Sequence, residues 1–399
     1  MIESIRKKYN EIFTEEKYQA FLNDINTAFG HEITFRVAES PVFFDKAFKK
    51  KITKAGEEIV DFLVNHDLNE ITKHAIPKGF EVPNQTKHAH FLAIDFAICK
   101  DQQGELNPQL IEFQGFPSLF AFQNYIGDKY REHFYVPDGF SQFFDGVQSE
   151  NYLKIFGDIL LNGHAPEHVI LLEIEPYTQS TAIDFIVTET YFGVKPVCIT
   201  EVIKEGRKLY YINNGVKTEI KRIYNRVIFD ELVRRQDLTY QFHLTDDVDV
   251  EWAGHPNWFF RISKYLMPFI KSEFVPECRF LSDFDEIPKD LENYVFKPLF
   301  SFSGTGIKFH VTQQDIDEVP AEERHLYILQ RKVQYEPLLQ APDGKVKVEI
   351  RLLYLWPENA KRPQLMVNLS RLSRGEMIGV KYNKDKTWVG GNVCFFERD

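Results

Sequence analysis

The chemistry of the chain concentrates in Asn293-Tyr294-Val295-Phe296-Lys297-Pro298-Leu299-Phe300-Ser301-Phe302-Ser303-Gly304-Thr305-Gly306-Ile307-Lys308-Phe309. A strand delivers Lys297, and a loop carrying Ser301, Ser303, Gly304, Thr305 and Gly306 follows it. A second strand, Ile307 to Val311, returns. The tip of such a hairpin presents backbone N–H groups and hydroxyls, with a cation at its base. That shape can fold over a triphosphate, with Lys297 placed to meet the phosphates, although taken alone it also reads as an ordinary glycine hairpin with a surface lysine. Lys264 lies thirty-three residues upstream, within Phe260–Ile270, which reads as a helix start. Downstream, Leu326 to Val333 reads as a buried strand containing Gln330, whose backbone amides suit an adenine edge. Glu336, six residues past Gln330, is within reach of a ribose. In Val346–Leu355 the residues Val348, Ile350 and Leu352 face one way, and Glu349, Arg351 and Leu353 the other. An arginine held mid-strand is commonly positioned by a phosphate or a carboxylate. Arg371 and Arg374 follow, then Asn383 and a Gly390-Gly391-Asn392 turn.

The common catalytic and nucleotide-binding motifs are absent. There is no GxxxxGK[ST] loop, no GxGxxG after a strand, no HExxH and no GxSxG elbow. His88 and His90 are two apart on a strand, but without a third ligand nearby they read as surface histidines.

The elements that must position these residues show in the patterning. The first 75 residues read as helices, with apolar positions at 48, 52, 59, 62 and 63 between charges, and Pro41 as a possible opening residue. His90–Ile98 and Leu110–Gln114 read as paired strands joined by a long polar loop holding Gly104 and Pro108. From about 150 the texture becomes βαβ: strand His168–Ile174, helix Thr181–Phe192, Gly193 as its stop, then strand Lys195–Thr200. Asn213-Asn214-Gly215 marks a hairpin turn, and an acidic patch, Thr245–Asp249, precedes a third region.

Two lysines, the second opening a glycine hairpin, are followed by a Gln strand, an Arg strand and a Gly-Gly pair. This order resembles the ATP-grasp superfamily over roughly 260–399. The magnesium carboxylates turn up at the front instead. Asp95, in Ala93-Ile94-Asp95-Phe96-Ala97, and Glu112 with Gln114, in Ile111-Glu112-Phe113-Gln114, fall on adjacent strands able to share Mg²⁺ ions carried by a nucleotide. The arrangement looks like the circularly permuted ATP-grasp of the glutathionylspermidine synthase family. There an Asp, a Glu and an Asn two residues later hold magnesium; Asp95 and Glu112 match, and Gln114 replaces the Asn. Ile220–Asp230 is also similar to the run before that family's first lysine. Two departures stand out. Ala93 replaces an arginine two before the Asp, and the hairpin reads Ser-Phe-Ser-Gly-Thr-Gly rather than Gly-Arg-Glu-Gly.

The resemblance implies a mixed α+β and α/β fold: a circularly permuted ATP-grasp with a small Rossmann-like, pre-ATP-grasp parallel sheet in the middle. Residues 1–125 would carry a helical segment and the metal strands, 150–250 the substrate domain, and 255–399 the nucleotide-binding region. It implies an ATP- and Mg²⁺-dependent carboxylate–amine ligase acting on small molecules through an acyl phosphate. Lys264 and Lys297 would bind phosphates, Arg351 (with Arg371 or Arg374) would stabilise the transferring group, and Ser301–Gly306 would form a lid. Gln330 and Glu336 would hold adenosine. The alternative is a non-catalytic ATP or metabolite binder on the same scaffold, which Ala93 permits.

Composition sets the outer bounds. With 399 residues the chain suits about two to three domains. A net charge of −11 disfavours a nucleic-acid binder. No apolar run is long enough for a bilayer and no secretory signal opens the sequence, so no membrane partner and a cytoplasmic location are expected. Cys99, Cys198, Cys278 and Cys394, widely spaced, fit reduced thiols. Oligomeric state is open.

Overall fold

A computed structural model describes residues 2–300, 306–375, 378, 383 and 385–398. Its centre is a six-stranded sheet in which the front of the chain meets its last third. The order is Gly390–Asn392, Gln364–Ser373, Gly344–Leu355, Phe91–Lys100, Leu106–Gln114, with Leu339–Ala341 paired to the Gly344 strand. Every pairing is antiparallel. Phe91 to Cys99 are buried without alternation, because both faces of this strand are covered.

One face is covered by the helix Lys46–Asn65. Asp45 caps it, its carboxylate accepting from the Phe48 N–H at 2.8 Å. Gly56 lets the helix close on the sheet: a Cβ there would overlap the Tyr354 hydroxyl and lie 2.9 Å from Leu352 Cδ1. Pro41 does not open this helix. It precedes a short strand, Val42–Phe44, which pairs in parallel with Cys394–Glu397.

The connection between the Phe91 and Leu106 strands is shorter than its polar composition suggests. Pairing continues to Lys100 and Leu106, and Pro108 lies inside the second strand opposite Ile98. Proline is tolerated there because this is the sheet's edge strand.

A four-stranded parallel sheet fills the middle, ordered Glu251–Ala253, Arg222–Asn225, Val169–Glu173, Lys195–Cys198. The helix Ala182–Phe192 connects the last two, and Gly193 ends it at φ +70. The hairpin Lys208–Asn213 to Val216–Ile220 turns on Asn214 and Gly215, both at positive φ. A small antiparallel sheet of Cys278–Phe280, Tyr327–Arg331 and Tyr294–Pro298 lies beyond the Leu106 edge.

Three local expectations need correction. The return strand Ile307–Val311 is reduced to a single bridge, Phe296 to Lys308, whose backbone bonds are 3.0 and 2.9 Å. Gly390–Asn392 is an edge strand rather than a turn. His88 and His90 are buried, not superficial: His88 stacks on Trp356 at 4.2 Å and His90 Nε2 is 2.6 Å from Glu358. No helix among the described residues is long and apolar enough to cross a membrane.

A candidate active site across one face of the sheet

Directly opposed residues of an antiparallel sheet point to the same face, so the register lays the site out in rows. One row reads Leu369, Arg351, Asp95, Glu112 across four strands. The next begins Gly391, Arg371, Glu349. A third places Ala93 beside Gln114.

Asp95 is fully buried and anchors the first row. Arg351 holds it through two parallel bonds, Nε to Oδ1 and Nη2 to Oδ2, both 2.6 Å. Arg371 crosses diagonally to donate to Oδ2 at 2.9 Å, and also binds Glu349. The Tyr335 hydroxyl donates to the other Glu349 oxygen at 2.7 Å. Burial pushes the Glu349 carboxyl above its ordinary value, against the pull of Arg371.

Glu112 behaves oppositely. Burial works against its charge, but Lys264, Lys297, Arg351 and Arg371 together outweigh it and hold the carboxyl below its usual value. Four cations therefore face Asp95, Glu112 and Glu349, and the cluster is net positive.

A bulge in the Glu112 strand makes room for one of these cations. Asp95 opposes Glu112 while Phe96 opposes Leu110, so Ile111 is the extra residue. Lys297 Nζ donates to the Ile111 carbonyl at 3.0 Å. Lys297 is buried, and that burial lowers its pKa to about 8, with Glu112 opposing the fall. Beside it the Gln330 amide donates to the Leu110 carbonyl at 3.0 Å, and the buried Gln330 Oε1 has no donor among the described residues. The edge strand and the small sheet are thus joined through two of the candidate residues.

Lys264 is buried and opens a 3₁₀ turn at Lys264–Phe269 capped by Ser263. Gly306 has φ +76, and a Cβ there would come within 3.1 Å of Pro298. Ser301, Ser303, Gly304 and Thr305 lie outside the described residues. Glu336 lies 3.1 Å from Lys100, and its backbone N–H donates to the Ile98 carbonyl at 2.8 Å. Arg374 binds Asp343. Of the two arginines that sequence leaves undecided, Arg371 joins the cluster and Arg374 pairs elsewhere. Glu349 and Tyr335 are members that motif reading misses. Glu349 has a signal in the sequence, two residues before Arg351 on an apolar strand; Tyr335 has none.

The parallel sheet reaches this site through Arg226, just past the Arg222–Asn225 strand. Its guanidinium lies over the Phe116 ring and donates to the Pro117 carbonyl at 2.7 Å, holding the exit of the Glu112 strand.

No protein-family model matches the chain, and no curated protein does. Among solved structures the chain is similar to a glutathione synthetase-like effector from Globodera pallida, in its apo form. The TM-score is 0.55, with 9% sequence identity over 98% of this chain and 98% of the other. At that identity the likeness speaks for architecture alone: the chain has a glutathione synthetase-like fold of mixed α and β elements.

Proposed function

We propose that the protein is an ATP- and Mg²⁺-dependent carboxylate–amine ligase on a circularly permuted ATP-grasp scaffold, similar in layout to the glutathionylspermidine synthase family. The observation that carries this reading is the row Arg351, Asp95, Glu112 with Lys264, Lys297 and Arg371 around it. Permutation is supported by the sheet itself, in which the early acid-bearing strands lie beside the late Arg351 strand.

The donors fit a hard cation. Glu112 is kept ionised, and Gln114 offers a carbonyl one pleat away. An ionised carboxylate has about four lone-pair sites. Arg351 and Arg371 occupy three on Asp95, so Asp95 can supply one more ligand bond. Magnesium there would neutralise phosphate charge.

The protein's own part is positioning and charge. Lys264 and Lys297 bind the phosphates of ATP from buried positions, and Arg351 and Arg371 face the transferring group. A substrate carboxylate oxygen attacks the γ-phosphorus, the bond to the β–γ bridging oxygen breaks, and ADP leaves. An amine then attacks the acyl carbon and gives up a proton as inorganic phosphate departs. Gln330 Oε1, without a partner among the described residues, suits the exocyclic amine of adenine.

A second reading, a nucleotide or metabolite binder without turnover, is favoured by one observation. Asp95 is already neutralised by two guanidinium groups, and Ala93 brings no further cation. Thermal unfolding with and without Mg-ATP, in wild type and Glu112→Ala, tests the nucleotide site. Ligand at a hundred times its dissociation constant adds about 2.7 kcal/mol to stability. A wild-type shift that shrinks in the variant supports the site; no shift in either removes it. ADP release in mixtures of carboxylates and amines then separates ligase from binder.

A further inference from the structure

The row of charges does not end at Arg351. Its next member, Leu369, opens onto a cavity of about 750 Å³. One wall is a helix face, with Leu119, Phe122 and Ile126 spaced three and four apart at the head of the helix Phe120–His133. Leu369 and Arg371 form a second wall, and Val389 closes a third. Two polar groups of the lining are already satisfied within it: Arg36 by Glu39 and the Val389 carbonyl, Gln123 by the Asn392 carbonyl.

The helix wall is held under strain. Leu119 has φ +73 and ψ 24, a left-handed conformation that bulky residues seldom adopt. Asp184, fully buried on the helix Ala182–Phe192, keeps it there. One Asp184 oxygen accepts from the Leu119 N–H and the other from the Phe122 N–H, each at 2.9 Å. One carboxylate thus fixes two of the cavity's apolar side chains through their backbone, and such strain is characteristic of ligand-binding positions.

Of the charged side chains in the lining (Arg36, Arg371, Asp385 and Lys386), Arg371 is the one bonded into the Asp95–Glu112 row. Arg371 uses Nη2 on Asp95 and Glu349, while its Nε–H is buried with no acceptor among the described residues. A carboxylate reaching up from the cavity would supply that acceptor and lie beside the Asp95–Glu112 row.

We propose that this cavity takes the apolar body of the carboxylate substrate, whose carboxyl group meets Arg371. The substrate class is a medium-sized aliphatic or aryl carboxylic acid rather than a polar amino acid or dipeptide. The volume falls within the roughly 300–1,000 Å³ of small-molecule sites. What becomes of the carboxyl group rests on the ligase reading; binding of the acid does not.

Isothermal titration of octanoate and L-glutamate into nucleotide-free protein tests this. Octanoate is expected to bind at least about tenfold more tightly than glutamate. Ile126→Phe and Val389→Phe, which fill the cavity from different walls, should each weaken octanoate about tenfold. Thermal midpoints show that the variants remain folded. Octanoate no tighter than glutamate, or unaffected in both folded variants, overturns the assignment. The Mg-ATP shift is read independently. If Mg-ATP stabilises the protein and octanoate does not bind, the ligase reading survives and this one falls; if octanoate alone binds, the reverse holds.

Discussion

Asp95 is a carboxylate with no solvent contact and two guanidinium partners, so its neighbours decide its cost. Removing one partner of a buried pair leaves charge uncompensated, at about 3–5 kcal/mol. Arg351→Ala is therefore expected to lower the urea midpoint strongly. The double variant Asp95→Leu/Arg351→Leu should recover part of that loss, because both buried charges go together. Tyr335→Phe should be milder, about 1–2 kcal/mol, since Glu349 keeps Arg371 but loses a buried donor. At this scale the sequence is generous with Asp95, Glu112, Lys264, Lys297 and Arg351. It is silent on Tyr335, because nothing local to that residue announces a partner fourteen positions away.

Elements turn residue types into a site. The alternation that sets Glu349 and Arg351 on one face is legible from period two alone. The row that joins Arg351 to Asp95 and Glu112 is not, because it depends on register and on the bulge at Ile111. A one-residue slip would send Glu112 to the other face. The βαβ unit and the Asn-Gly turn are readable because their signals are local, whereas the edge-strand character of Gly390–Asn392 is set by a distant partner. Two helix substitutions probe how the sheet is backed. Asp45→Ala removes a side-chain cap and should cost about 1 kcal/mol by equilibrium unfolding. Gly56→Val collides with Tyr354 and Leu352 on the sheet's covered face, and a larger loss of about 2–3 kcal/mol is expected.

Across the whole molecule, stability should depend on pH through a group outside the site. Burial raises the Glu173 carboxyl, at the end of a central parallel strand, from its ordinary 4.5 to about 8. Between those values the unfolded chain holds fewer protons than the folded one, so stability falls as pH rises through the window and levels off above it. Glu173→Gln keeps an acceptor for the Ile174 N–H, now 2.8 Å from the carboxylate. It should leave stability unchanged near pH 4 and add up to about 5 kcal/mol near pH 8.5, measured by urea unfolding at both.

The pairing of Asp95 with Arg351 spans 256 positions of the chain. During synthesis the apolar segment Phe91–Ala97 leaves the ribosome some 250 residues ahead of the strand that will cover its inner edge. At about 5–20 residues per second that interval is roughly 10–50 s. Throughout it Asp95 lacks Arg351 and Arg371 and one edge of the Phe91–Lys100 strand stays unpaired, which is a condition under which nascent chains recruit chaperones or aggregate. The long-range closure that assembles the site also makes it a late event in folding, with a high contact order and a correspondingly slow final step.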